Sequence, residues 1–278
     1  MNEESNIRPP VVAGMFYPEH ANELEQMVRQ LIDGVKPKRQ KGSLVGIIVP
    51  HAGYQYSGTT AAHAFALLKK EKRRTIVLVG PSHREYFDGI SVFPGVSFKT
   101  PLGAVEIDAE MRAALVRSSP HIQSSAVGHR AEHSLEVQLP FLQIAMGEFK
   151  ILPIVIGNQK REYCEALGTA LAGVAKRGDV LFVASSDLSH YYTSDAARKL
   201  DGVAIASIEN LDFETLMSDL ETERTEACGG GPMVAIMSAA KKVGADVCTV
   251  LHACNSGDVS GDRDRVVGYV SAAMWKIH

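Results

Sequence analysis

The sequence predicts an α/β fold, a single three-layer α/β/α domain with a mainly parallel central sheet. Short apolar runs recur along the 278 residues, at Val45 to Val49, Ile76 to Val79, Ile151 to Ile156 and Val180 to Ala184. Runs of this length, apolar throughout, read as strands buried on both faces. Segments of helical spacing separate them, and strands that alternate with helices build a parallel sheet covered on both sides. No repeat, low-complexity stretch or composition shift marks a boundary, so residues 1–278 are read as one domain.

Residues 1–10 form an extended lead-in, and Val11 to Pro18 a short strand or loop. His20 to Ile32 places Leu24, Met27, Val28 and Leu31 at helical spacing. Lys36 to Lys41 is a basic linker into the first strand. Ser57 and Thr59 are candidate caps of a helix through Ala61 to Leu68. Ile90 to Phe93 and Ala104 to Ile107 look like short strands punctuated by Gly and Pro, and Asp108 caps a helix to Arg117. His133 to Met146 reads as a helix interrupted by Pro140. After the strand at Ile151 to Ile156 come a helix at Tyr163 to Ala175 and the strand at Val180 to Ala184. Helices at Ala196 to Glu209 and Phe213 to Leu220 follow, the second capped by Asp212. A glycine loop after Cys228 opens a helix from Met233 to Val243, and Val247 to Leu251 and Val266 to Met274 close the chain as strands.

Composition narrows the function. The net charge is −3 and aromatics make up 6%, which gives no footprint for nucleic acid or an anionic membrane. No apolar run approaches the roughly 20 residues that span a bilayer. The acidic start, Met1 to Arg8, lacks a signal-peptide pattern. The four cysteines form no Cys-x-x-Cys pair, so a reduced, cytoplasmic chain without disulfides is expected. No phosphate loop, nucleophile elbow or dinucleotide fingerprint is present, and no nucleotide cofactor is expected.

Three strands deliver a histidine at or beyond their C-terminal ends: His51 after Pro50, His83 in Gly80-Pro-Ser-His83, and His190 in Ser185-Ser-Asp-Leu-Ser-His190. In an open α/β sheet, ligands bind at those ends. Imidazole is the commonest metal ligand and the usual acid–base group near neutrality. Cys228 is the natural further ligand, because the glycines after it permit close approach and a helix N-terminus beside it would favour the thiolate. Sulfur beside two or three imidazoles suits Zn, Cu or Fe. Asp187, three residues before His190, is placed to orient an imidazole, or to cap a helix. His133 and Glu136 are spaced to share a helix face and to contact the ligands or the substrate.

Pro50-His-Ala-Gly-Tyr54, Gly80-Pro-Ser-His83, Glu132-His-Ser-Leu-Glu136, Ser185-Ser-Asp-Leu-Ser-His190 and Ala227-Cys-Gly229, in this order, resemble the Memo family over nearly the whole chain. The resemblance implies a fold similar to LigB-like class III extradiol dioxygenases, which bind non-haem Fe(II) through two His and a Glu. Carried onto this sequence, it implies His51, His83 and Cys228 as metal ligands, with His190 and Asp187 beside them. Tyr54, Ser82, His133, Glu136 and Ser186, which stand in the same motifs, are then expected to line the binding pocket. The resemblance also implies Fe or Cu rather than Zn, a small-molecule or peptide ligand, and a radical-SAM protein of the same system as partner. Cys228 stands where a ring-cleaving enzyme would carry a carboxylate, and a thiolate is itself oxidisable.

Three functions fit these residues. The first is a metal-dependent redox enzyme, dioxygenase-like, in which His190 is the acid–base group and Asp187 orients it. The second is a non-catalytic metal- or peptide-binding scaffold with a vestigial dioxygenase pocket, favoured by the missing carboxylate. The third is a metal-free hydrolase or transferase with Cys228 as nucleophile and His51 or His190 as base.

Overall fold

A computed structural model describes residues 6–72 and 75–277; the first five residues of the expected lead-in lie outside the described residues. The strands are β1 (Ile7–Arg8), β2 (Ser43–Val49), β3 (Thr75–Pro81), β4 (Ile90–Val92), β5 (Ser97–Thr100), β6 (Gly103–Glu106), β7 (Ile122–Ser124), β8 (Lys150–Ile156), β9 (Val180–Ser185), β10 (His190–Tyr192), β11 (Val247–Asn255) and β12 (Val266–Lys276). The helices are α1 (Ala21–Asp33), α2 (Tyr54–Phe65), α3 (Ala109–Val116), α4 (Leu139–Met146), α5 (Arg161–Ala175), α6 (Ser194–Glu209), α7 (Phe213–Glu221), α8 (Gly230–Lys242) and α9 (Ser256–Ser260).

The main sheet runs β10-β12-β2-β9-β3-β8-β4-β7, with β11 also paired to β12. Its centre, β2-β9-β3-β8, is parallel throughout. The margins differ: β12 runs antiparallel to β2, β10 and β11, and β4 antiparallel to β8. A smaller sheet, β1-β5-β6, ties the chain start to residues 97–106.

Strand periodicity explains the three layers. Successive side chains on a strand point to opposite faces. Ile47 and Val49 of β2 thus join one hydrophobic cluster with Leu24, Val28, Phe65 and Phe141 from α1, α2 and α4. Ile48 between them joins the other, with Leu167, Leu171, Ile208, Met217 and Ile236 from α5 to α8. β3, β8 and β9 alternate in the same way: Ile76 and Leu78 pack on the first face, Val77 and Val79 on the second. Both faces are covered, which is why these strands are apolar runs rather than alternating ones.

Several elements depart from the sequence reading. The helix α2 starts at Tyr54 with Gly53 as N-cap, so Ser57 and Thr59 lie within it and cap nothing; Ser57 Oγ instead donates to the Ala52 carbonyl at 3.0 Å. The predicted helix from His133 begins only at Leu139. Pro140 sits in its first turn, where the missing N–H costs no hydrogen bond, so it opens the helix rather than interrupting it. His133 therefore lies in a loop ahead of a 3-10 turn at Glu136–Gln138, and the two residues share no α-helical face. The caps at Asp108 and Asp212 are as expected, accepting from the N–H of Met111 and Thr215.

Candidate metal centre

Adjacent parallel strands stand about 4.8 Å apart. The order β2-β9-β3 therefore puts β2 and β3 on either side of β9, with all three C-terminal ends at one edge. His51 follows β2 and Pro50, and His83 follows β3 and Ser82. The His51 ring reaches Ser185 at the end of β9, and the ring centres of His51 and His83 come within 5.1 Å, edge to face. Cys228 arrives from the loop before α8, and its Sγ lies 3.1 Å from His51 Nε2. Donor atoms of His51, His83 and Cys228 all fall within 4.8 Å of one another.

Two glycines let the loops approach so closely. A Cβ on Gly229 would meet the Ser185 carbonyl oxygen at 2.3 Å and Ser186 Cβ at 2.7 Å. One on Gly80 would meet Ser134 Oγ at 2.6 Å. The first contact seats the Cys228 loop on β9, and the second seats residues 129–135 on β3.

That second loop supplies two residues of the site. The His133 ring stacks on His83 at 4.8 Å and meets His51 edge-on at 5.4 Å, so three imidazoles cluster. Glu132, 2% exposed, accepts the ring Nδ1 of His83 at 2.9 Å and the His83 backbone N–H at 2.6 Å. Sequence reasoning missed Glu132, along with Ser185, whose Oγ lies 2.9 Å from His51 Nδ1. Glu132 stands beside His133 in a stretch without periodicity, and only that adjacency hinted at it.

The other expected residues are placed as follows. Asp187 is buried, and its Oδ1 accepts the His51 backbone N–H at 2.7 Å. Its own N–H points to Cys228 Sγ at 3.3 Å, so Asp187 braces His51 and Cys228 and makes no hydrogen bond to His190. The His190 N–H donates to Glu226 at 2.6 Å, and its half-buried ring packs on Tyr191. Tyr54 is buried and donates to the Val137 carbonyl at 2.5 Å. Ser82 donates to the Glu85 carbonyl, and Ser186 accepts from Gly229 N–H while donating to the Asp187 carbonyl. Glu136 sits in a buried clamp, accepting from Arg8, Tyr17 and the N–H groups of Val11 and Val12. The structure thus brings His51, His83, Cys228 and His133 together, and engages Tyr54, Ser82, Ser186 and Glu136 in holding the fold.

Burial disfavours charge on His51, His133 and Cys228. Burial, reinforced by the neighbouring imidazoles, holds His51 well below the ordinary histidine value. Burial also takes His133 down to about 4 and lowers His190. It would raise Glu132, but hydrogen bonds from His83 and Ser134 outweigh it and bring that carboxyl down to about 2. Asp187 is pushed up to about 7, again by burial. The Cys228 thiol is raised by burial first and the Asp187 carboxyl second. This corrects the expectation of a dipole-stabilised thiolate. The first N–H groups of the α8 region are directed elsewhere, Gly229 to Ser186 Oγ, Gly230 to the Ala227 carbonyl and Gly231 to Gln159 Oε1.

Two imidazoles and a sulfur are a donor set for a borderline or soft cation, and they are gathered within 4.8 Å of one another, near the spacing of donors about 2.0–2.3 Å from one ion. A cation there would also displace the thiol proton, which burial otherwise retains. The residues fit a transition metal.

Residues 8–273 match the sequence model of the Memo-like protein family. A MEMO1 family protein of Methanosarcina barkeri is 42% identical over 268 residues, covering 95% of this chain and 98% of the relative. A MEMO1 family protein of Aquifex aeolicus is 41% identical over 265 residues, covering 95% and 97%. Among solved structures, an uncharacterized protein of Escherichia coli K12 superposes with a TM-score of 0.53 at 14% identity, over 83% of this chain and 99% of that one. That likeness is one of fold.

Proposed function

The chain belongs to the Memo-like protein family, and from that premise we propose that it is a transition-metal protein using iron or copper in the oxidation or reduction of a small molecule. The observation that carries the reading is the convergence of His51, His83 and Cys228 donors within 4.8 Å of one another, from three separate segments. Those three side chains would hold the ion. A bound iron or copper supplies one-electron chemistry and a position for substrate or O₂. Around it, Asp187 holds the His51 backbone and the Cys228 loop in place. His190, held by Glu226 beside the cluster and close enough to interact electrostatically with the His83 ring, serves as the acid–base group of this reading. The four free cysteines suit a reducing cytoplasm. Among the described residues no helix is long and apolar enough to cross a membrane.

The test is metal content after anaerobic purification and reconstitution. The expected result is about one iron or copper per chain, lost in His51→Ala, His83→Ala and Cys228→Ala. A chain that takes up neither metal overturns the reading. The sulfur donor, in place of a carboxylate, favours a second reading in which the metal is held without turnover. Metal uptake with no oxygen consumption on a panel of catechols and other phenols would select it.

A further inference from the structure

We infer that Glu132 and Ser185 are positioning residues that lock the His83 and His51 rings as Nδ1–H tautomers before any ligand arrives, so that both present a bare Nε2 to the Cys228 side of the cluster. The inference rests on the metal-binding reading for its purpose, but its evidence is a count of protons around two rings, His51 buried and His83 partly exposed.

For His51 the count starts at Gln138. Its Nε2 faces the Pro50 carbonyl at 3.0 Å, which only an N–H can do, so the same NH₂ group donates to Ser185 Oγ at 2.9 Å. Gln138 Nε2 also lies 3.3 Å from the Ser134 carbonyl oxygen, but Ser185 Oγ is closer at 2.7 Å, so that carbonyl takes the single Ser185 proton. With that proton committed, Ser185 can only accept from His51 Nδ1 at 2.9 Å. Nδ1 therefore carries the hydrogen, and Nε2 presents its lone pair to Cys228 Sγ at 3.1 Å, nearer the thiol than the Asp187 carbonyl at 3.6 Å.

For His83 the partner is a carboxylate. Glu132 Oε1 accepts the backbone N–H of His133 and of Ser134, each at 2.9 Å, and Oε2 accepts the backbone N–H of His83 at 2.6 Å. A carboxyl group surrounded by donors is acceptor-only, so His83 Nδ1, 2.9 Å from Oε1, must donate. The same count decides what Glu132 is. His83, Glu132 and His133 also lie within metal-ligand reach of one another. Glu132 already accepts from four N–H groups, three at Oε1 and one at Oε2, so we assign it to act through His83. Hydrogen bonds of this kind fix ring orientation and raise the basicity of the ligating nitrogen.

Long-range ¹⁵N–¹H correlation spectra of the metal-stripped, ¹⁵N-histidine-labelled full chain read the tautomers directly. Two rings protonated at Nδ1 are expected, those of His51 and His83, with Glu132→Gln altering His83 alone and Ser185→Ala altering His51 alone. Each variant is expected to weaken iron or copper affinity by roughly 10–100-fold. Nε2–H rings in the unsubstituted chain would overturn the inference, and that spectrum decides the matter even if a variant fails to fold. Locked tautomers in a chain that takes up no metal would sink the metal reading while leaving the lock standing. Metal uptake through rings in the ordinary tautomer would do the reverse.

Discussion

Arg8 and Glu136 form an ion pair at 2.7 Å with 3% and 0% of their side chains exposed. Around it, Arg8 donates to the carbonyls of His129 and Glu132, and Glu136 accepts from Tyr17 Oη at 2.5 Å. Removing one member of such a pair strands a buried charge, so Glu136→Ala should cost about 3–5 kcal/mol. Denaturant midpoints check this, and a loss below about 1 kcal/mol would show the clamp to be no stronger than a surface pair. His129 sets a pH dependence. Burial, with the Arg8 charge adding to it, holds its ring down at about 3, although the Ser91 carbonyl pulls the other way. The folded value is below the unfolded one, so the unfolded chain takes up the proton first as the pH falls. Stability should therefore drop between about pH 6.5 and 3, by at most about 1.4 kcal/mol per pH unit from this residue. His129→Gln should flatten that slope relative to the unsubstituted chain, and identical slopes would refute the assignment.

Among the elements, the central strands were the most legible, because a strand covered on both faces must be apolar along its whole length. The runs in β2, β3, β8 and β9 satisfy that condition, and their ends marked His51 and His83. The region 129–138 was illegible for the opposite reason. Its shape is set by hydrogen bonds to Arg8, His83 and Ser185, which come from distant segments and leave no periodic trace. Pro140 reads as a break because a proline inside a helical pattern looks the same from sequence whether it ends one helix or opens another. The loop before α8 yields a prediction of its own. Gly229→Ala would drive a Cβ into the Ser185 carbonyl and Ser186, so the loop must lift away from β9. Stability should fall by about 1–3 kcal/mol, with metal uptake falling as well. A variant with unchanged midpoint and uptake would mean that the close approach is not needed to place Cys228.

At the scale of the molecule, both hydrophobic clusters are built on opposite faces of one sheet, so neither survives loss of the other's strands. Trp275, the single tryptophan, is fully buried on β12 in the cluster of α1, α2 and α4. Its fluorescence and the far-UV circular dichroism, which reports α5 to α8 as well, should therefore lose signal in one coincident thermal transition. Separated transitions would reveal two cooperative units. The sequence by itself determined the layered α/β plan, since burial on two faces imposes an apolar pattern that can be read locally. It also determined which strand ends carry chemistry-bearing side chains. Only the tertiary structure decided which of those side chains meet. Strand order places β9 between β2 and β3, and the fit of two glycine-permitted loops on their ends brings His133 and Glu132 in while leaving His190 hydrogen-bonded elsewhere. Those choices depend on contacts between residues far apart in the chain, and no local pattern records them.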